Sequence, residues 1–313
     1  MLNSIYVFAG LVLLILGADS LVRGSSGIAL RLGVSSLIVG LTVVAVGTST
    51  PELLVSLSAA LRGSGSIALG NVVGSNIANI ALILGLSALI SPIQTSAQLI
   101  RRDIPIMIVV SGVLVFFTAN GHLGRLEGLI LFITLGLYLG IAIYQARAEK
   151  DRDVREQFKQ AVPVRPRKTV WLLSLTVIGL GCLVLGADLF VQGAIEIAHR
   201  FSVSDAVIGL TLVAVGTSLP ELATSVVASI RHHNDIAVGN VVGSNLFNIL
   251  CILGLTVIIN PFGIQGITMV DMGLMLLTAL LLLPLVRSGF VLNRWEGGLL
   301  VVIYIGYMVM LLR

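Results

Sequence analysis

The second half of this chain repeats the first. Residues 40–85 recur as residues 209–254 at a constant offset of 169, and 29 of the 46 aligned positions are identical. The same offset relates residues 17–19 to residues 186–188, so the duplication extends well beyond this block. Apolar segments broken by glycine and proline, at matching positions in two halves of a chain, are typical of membrane transporters with a site at the repeat interface.

The composition indicates a membrane protein. The chain is 57% hydrophobic and 11% charged, and its mean hydropathy is +1.06; water-soluble domains are far less apolar. Ten apolar stretches approach or exceed the roughly 20 residues of a spanning helix. They are residues 4–31, 36–61, 66–90, 103–119, 125–146, 170–199, 205–230, 235–259, 266–286 and 294–312. The first recurs as the sixth, so we interpret it as a structural helix rather than a cleaved signal peptide.

The fold class predicted is an all-α polytopic membrane protein with ten transmembrane helices and broken helices at its core. The repeats would span residues 1–146 and 170–313, joined by a linker at 147–169. Because each repeat has five spans, an odd number, the second repeat must have the opposite orientation in the membrane. The linker region carries eight of the 19 basic residues, which predicts that it lies in the cytoplasm and that both termini lie outside. We expect the protein in the cytoplasmic membrane. We attribute its charge to topology and anionic lipid, not nucleic acid.

Nothing in the sequence indicates an enzyme. Cys182 and Cys251 lie inside apolar stretches without metal-site spacing, and all four histidines lie at loops or helix ends. Neither Ser49 nor Ser218 has a nucleophile-elbow pattern or an intramembrane base beside it. We therefore expect no tightly bound cofactor and no obligatory protein partner.

Polar residues within the repeated block indicate a cation site. Pro51 and Pro220 should break their helices and free nearby carbonyl oxygens. Such backbone is tolerated at membrane depth where it lines a cavity. Four pairs of oxygen-bearing residues, each four positions apart, share helix faces: Thr48 with Glu52, Ser75 with Asn79, Thr217 with Glu221, and Ser244 with Asn248.

The two glutamates are the centre of this prediction. A carboxylate at the bilayer centre costs several kcal/mol unless it is paired, and no basic residue lies at the depth of Glu52 or Glu221. A bound cation is the natural partner, and hard oxygen ligands favour Ca²⁺ or Na⁺ over zinc or copper. A structural role in helix contacts stays open for the glutamates, and more so for Asn79 and Asn248.

The paired motifs resemble those of the cation/calcium exchanger superfamily, which includes the sodium/calcium exchangers. They read GTSTPE with GNVVGSNIAN in the first half and GTSLPE with GNVVGSNLFN in the second. The resemblance covers almost the whole chain and implies ten helices in two inverted halves. It also implies the following central site: Glu52, Glu221, Thr48, Thr217, Ser49, Ser218, Ser75, Ser244, Asn79, Asn248, and the backbone carbonyls of Ala45 and Ala214.

The resemblance implies a minimal, prokaryotic-type antiporter that exchanges Na⁺ for Ca²⁺ by alternating access. Some exchangers carry Asp where this chain has Asn248, so coupling to H⁺ or K⁺ is an open alternative. A passive cation channel is the alternative outside the class, although two inverted halves in one chain favour alternating access. Asp19 and Asp188 also recur within apolar sequence, as structural acids or as a second ion path.

Overall fold

The computed structural model describes residues 2–32, 34–148, 169–200 and 214–311, nearly all of them helical. In the first half these residues form eight α-helices: α1 (Leu2–Leu32), α2 (Ser36–Val39), α3 (Ala45–Thr48), α4 (Thr50–Leu61), α5 (Gly65–Ile77), α6 (Gly85–Ile90), α7 (Ile104–Thr118) and α8 (Arg125–Ala148). Three wider π-helical segments continue these helices: π1 (Gly40–Val44), π2 (Ala78–Leu84) and π3 (Leu99–Asp103).

The described residues of the second half repeat the order of these α-helices. Its α-helices are α9 (Thr169–Arg200), α10 (Ala214–Thr217), α11 (Leu219–Ile230), α12 (Asn234–Phe247), α13 (Gly254–Ile259), α14 (Met269–Arg287) and α15 (Arg294–Leu311), with π4 (Asn248–Leu253) between α12 and α13. Four two-residue strands are β1 (Ile93–Gln94), β2 (His122–Leu123), β3 (Phe262–Gly263) and β4 (Val291–Leu292). β1 pairs antiparallel with β4, and β2 with β3.

Seven helical stretches in the described ranges are long and apolar enough to cross a membrane, which confirms the prediction of an all-helical polytopic membrane protein. They are Ile5–Leu32, Gly65–Ile90, Arg125–Tyr144, Thr169–Ile197, Asn234–Ile259, Met269–Arg287 and Arg294–Leu311. The pair Ser36–Thr48 and Thr50–Leu61 qualifies as an eighth, bent by 48°. α7 has only 15 residues, and residues 201–213 of the seventh predicted span lie outside the described ranges. The count of ten spans therefore stays a prediction.

Helices α1 and α9, which correspond across the duplication, pack antiparallel. Gly10 lies against the backbone of Gly186, and Gly17 lies against that of Gly179. A Cβ atom at Gly10 or Gly17 would come within 2.7 or 2.9 Å of the facing carbonyl oxygen, so these positions require glycine. Small residues allow this close approach of helices in membranes, where packing drives association. The equivalent helices run in opposite directions, as an inverted repeat requires.

The interior is built from the stretches that carry the GNVVGSN motifs. α5–π2–α6 and α12–π4–α13 are buried over 72% and 78% of their apolar windows, against 17% for α15. Their apolar residues form most of one large core cluster with α7, α8 and α14. Residues buried this deeply, including polar ones, face protein rather than lipid.

Some predictions fall outside the described residues. The basic linker was expected at residues 147–169, and residues 149–168 are not described. Its cytoplasmic placement, the repeat boundaries at 146 and 170, and the outside location of both termini stay predictions.

Candidate cation site

The second and seventh predicted spans are broken at Ser49 and Ser218. Ser49 separates α3 from α4 with φ −81° and ψ 11°, and Ser218 separates α10 from α11 with φ −90° and ψ 7°. Pro51 and Pro220 lie in the first turn of the following helix, where no amide donor is needed. The predicted breaks are present, but each proline begins a new helix instead of interrupting a continuous one. The sequence reasoning was wrong on this detail.

Each break places a glutamate in the first turn of a helix. Glu52 lies in the first turn of α4 and Glu221 in that of α11, and each is 1% exposed. The positive end of a helix dipole stabilises an anion there by about 0.3–2 kcal/mol. This offsets only part of the several kcal/mol that burying an ion costs. The two carboxylates need further partners.

The serines at the breaks supply hydrogen bonds across the duplication. Ser49 Oγ donates to Glu221 Oε1 at 2.8 Å, and Ser218 Oγ donates to Glu52 Oε1 at 3.1 Å. Each carboxylate is thus held by the break serine of the other repeat. The two halves build one site, and neither half completes it alone.

The serines of the GNVVGSN motifs extend the same cluster. Ser244 Oγ lies 3.4 Å from Glu221 Oε1 and 3.0 Å from Ser49 Oγ. Its counterpart Ser75 lies 3.4 Å from Ser218 Oγ. Both are buried, so every serine named by the resemblance is in contact with the central cluster.

The remaining predicted ligands lie around the helix breaks. Thr48 is buried, and its hydroxyl lies 3.0 Å from Asn240 Oδ1 and 3.4 Å from the carbonyl oxygen of Ala45. Thr217 is half-buried at the end of α10. Ala214 is the first residue of α10, and its side chain lies outside the described ones.

Four buried oxygen atoms of the predicted ligands have no hydrogen-bond partner among the described residues: Glu52 Oε2, Glu221 Oε2, Asn79 Oδ1 and Asn248 Oδ1. An unpaired buried acceptor costs about 1–3 kcal/mol, and more when it is charged. Carboxylate, amide and hydroxyl oxygens are the ligands that Ca²⁺ prefers. The arrangement therefore has the donor set of a hard-cation site.

Sequence reasoning missed two asparagines that support this cluster. Asn240 donates to the carbonyl oxygen of Glu221 at 3.4 Å and to Ser225 Oγ at 3.0 Å. Its counterpart Asn71 makes the equivalent bonds, to the carbonyl oxygen of Glu52 at 3.3 Å and to a serine hydroxyl at 3.0 Å. Their identical recurrence at the offset of 169 is the sequence signal that could have identified them.

Asp19 is held by basic side chains. Its carboxylate lies 2.8 Å from Arg23 on the same helix and 2.8 Å from Arg231 at the end of α11. Asp188 accepts a hydrogen bond from Gln192 at 2.8 Å on an exposed surface. The ion pairs of Asp19 with two arginines support the structural interpretation.

Comparison with known proteins identifies the family. The family sequence model described as sodium/calcium exchanger protein matches residues 3–144 and 171–313. The chain belongs to the sodium/calcium exchanger family. The resemblance to the cation/calcium exchanger superfamily is thereby confirmed, and the family is one of membrane antiporters for ion transport.

Three relatives show how far the similarity extends. The putative antiporter CaxA of Alkalimonas amylolytica is 40% identical over 316 residues, covering 98% of this chain and 98% of CaxA. The sodium/calcium exchanger MaX1 of Methanosarcina acetivorans is 34% identical over 344 residues, covering 99% of this chain and 98% of MaX1. A structure of the sodium-calcium exchanger NCX_Mj superposes with a TM-score of 0.85 and 35% identity, covering 99% of this chain and 98% of that one.

Proposed function

We propose that the chain is a secondary active antiporter that exchanges Na⁺ for Ca²⁺ across the cytoplasmic membrane. The observation that carries this proposal is the pair of buried glutamates, Glu52 and Glu221. Each accepts a hydrogen bond from the other repeat and keeps one oxygen without a partner in the described residues. Relatives along the whole chain that are named sodium/calcium exchangers support the choice of ions.

The transported ions bind one central cavity in this proposal. Glu52 and Glu221 supply the charge, and oxygens of Asn79 and Asn248 complete the innermost set. The other ligands are Thr48, Thr217, Ser49, Ser218, Ser75, Ser244 and the carbonyl oxygens of Ala45 and Ala214. Since Ca²⁺ takes six to eight oxygens in flexible geometry, this set suffices without a thiolate or imidazole.

Alternating access would follow from ten spans arranged as two inverted five-helix repeats. The antiparallel packing of α1 on α9 supports this arrangement, as do the hydrogen bonds that the repeats exchange. Rocking of one repeat against the other would open the cavity to either side. The linker would lie in the cytoplasm and both termini outside.

Transport of ⁴⁵Ca²⁺ into proteoliposomes tests the proposal directly. Purified protein is assayed with an outward Na⁺ gradient, an outward H⁺ gradient, a K⁺ gradient, or no gradient. Uptake driven by the Na⁺ gradient alone is expected. Uptake that follows only the proton gradient would replace Na⁺ by H⁺ as the coupling ion, and a strict K⁺ requirement would indicate potassium coupling. Uptake indifferent to every trans ion would indicate a channel.

A further inference from the structure

Four asparagine side chains join the two repeats in the core. Asn76 and Asn79 lie at the junction of α5 and π2, and Asn245 and Asn248 lie at the junction of α12 and π4; all four are 1% exposed. Asn79 Nδ2 donates to Asn245 Oδ1 at 2.9 Å, and Asn248 Nδ2 donates to Asn76 Oδ1 at 3.0 Å. We call these four residues the amide cluster.

A second pair of bonds fixes which way Asn76 and Asn245 point. Asn76 Nδ2 donates to the carbonyl oxygen of Asn245 at 3.3 Å, and Asn245 Nδ2 donates to the carbonyl oxygen of Asn76 at 3.4 Å. Turning either amide over would set an oxygen against a carbonyl oxygen and an NH₂ group against an NH₂ group. Each mismatch leaves buried polar groups unpaired, at about 1–3 kcal/mol apiece.

The orientation of the Asn76 and Asn245 amides determines that of the Asn79 and Asn248 amides. Because Asn245 and Asn76 present only oxygens to Asn79 and Asn248, the latter must turn their NH₂ groups toward them. Their Oδ1 atoms then face away from the cluster, and neither has a hydrogen-bond partner among the described residues. An NH₂ group in the same place would repel a cation, because it offers only donors.

On the basis of the proposed cation site, we propose that Asn76 and Asn245 are positioning residues that set Ca²⁺ affinity by holding Asn248 and Asn79 with their oxygens toward the ion. The pairing crosses the repeats: Asn245 acts through Asn79, and Asn76 acts through Asn248. Neither positioning residue is itself a ligand. The side-chain oxygen and the NH₂ group of both Asn76 and Asn245 are hydrogen-bonded, and such paired amides can hold one geometry in this way.

Double-mutant cycles on the full-length protein test this pairing. The Ca²⁺ concentration that gives half-maximal thermal stabilisation of the purified protein is measured, together with the KM for Ca²⁺ in Na⁺-driven uptake. Asn245→Leu removes the acceptor that orients Asn79 and should weaken Ca²⁺ binding about tenfold, the equivalent of one hydrogen bond. In an Asn79→Ala background, Asn245→Leu should weaken Ca²⁺ binding by about twofold or less. In an Asn248→Ala background, it should still weaken Ca²⁺ binding about tenfold.

Asn76→Leu provides the matched control, because its effect should disappear with Asn248→Ala and persist with Asn79→Ala. A merely structural role for Asn76 and Asn245 would produce equal losses in both backgrounds. Equal losses, or no loss in either single variant, would overturn the proposal.

A conservative variant covers the case in which the leucine variants do not fold. Asn245→Asp matches the amide in size and keeps an oxygen facing Asn79, so the acceptor that orients Asn79 is retained. Its Ca²⁺ affinity should stay within about threefold of wild type. A tenfold or greater loss would contradict the acceptor role of Asn245.

The two readouts separate this inference from the proposed function. Wild-type protein that binds Ca²⁺ but shows no Na⁺-driven uptake would refute the antiport proposal, and the cycles would still be measured by thermal stabilisation. Wild-type exchange without pair-specific coupling would refute only the role assigned to Asn76 and Asn245.

Discussion

Glutamine in place of either central glutamate should greatly weaken Ca²⁺ binding without harming the fold. Glutamine matches glutamate in size and keeps an oxygen to accept the serine bond, which is 3.1 Å at Glu52 and 2.8 Å at Glu221. The variant loses one negative charge that is 99% buried. Removing one partner of a buried charge pair costs about 3–5 kcal/mol, so Ca²⁺ affinity should fall about 100- to 4,000-fold.

Thermal unfolding and ⁴⁵Ca²⁺ flux together test both halves of this prediction. Without Ca²⁺, Glu52→Gln and Glu221→Gln should unfold at or above the wild-type temperature, because each removes a poorly compensated buried charge. With Ca²⁺ at 100 times its wild-type Kd, binding should stabilise the wild type by about 2.7 kcal/mol and the variants hardly at all. Na⁺-driven uptake by either variant should fall to background.

Glu127→Gln is the matched control, since Glu127 also lies in the first turn of a helix and accepts a backbone hydrogen bond, from Gly124 at 3.1 Å. It should exchange at a near wild-type rate. Near wild-type exchange by Glu52→Gln or Glu221→Gln, with Ca²⁺ still raising the unfolding temperature, would refute the assignment of the central site.

Three other perturbations test separate parts of the reasoning. Asp19→Asn should lower the free energy of unfolding by about 1–2 kcal/mol, because it weakens two ion pairs, and should leave more than half of the exchange activity. Loss of transport with unchanged expression and unfolding temperature would instead indicate an ion path along α1. Gly17→Val should destabilise the α1–α9 contact by about 1–3 kcal/mol, whereas Gly136→Val, which has no neighbour within 4 Å among the described residues, should leave the unfolding temperature unchanged. If three Na⁺ exchange for one Ca²⁺, an inside-negative potential set by K⁺ and valinomycin should drive Ca²⁺ exit, by about 2.3 kcal/mol per 100 mV; rates indifferent to the potential would indicate electroneutral coupling.

The helices of this chain could be predicted closely from sequence. The stretches expected at 66–90, 235–259 and 125–146 are observed as Gly65–Ile90, Asn234–Ile259 and Arg125–Ala148. A membrane-spanning helix is apolar over a length that the thickness of the bilayer sets. The apolar stretch in the sequence therefore ends close to where the helix ends. The polar residues that recur at the fixed offset also come together in the structure, since a duplicated pair at one depth meets at the repeat interface.

The pairing within the site could not be read from sequence. Spacing placed Glu52 and Thr48 on one helix face, yet the hydroxyl that donates to Glu52 Oε1 at 3.1 Å comes from Ser218 in the other repeat. Which side chains meet depends on the antiparallel packing of the halves, a tertiary property. The π-helical segments after Asn76 and Asn245 have no distinctive composition either, and these wider turns are frequent at functional sites.

In the proposed antiporter, the two glutamates would also account for exchange in place of leakage. Among the described residues, neither Glu52 nor Glu221 has an ion pair with Lys or Arg, so when both carboxylates are ionised and no cation is bound, two negative charges are buried near each other. Movement of one repeat against the other through a closed, ion-free state would then include the free-energy cost of that repulsion and desolvation. Each 1.4 kcal/mol added to the barrier slows this step about tenfold. A bound Ca²⁺ or a set of Na⁺ ions removes the cost. We therefore expect the protein to change conformation rapidly only when loaded, so that inward movement of one ion requires outward movement of the other.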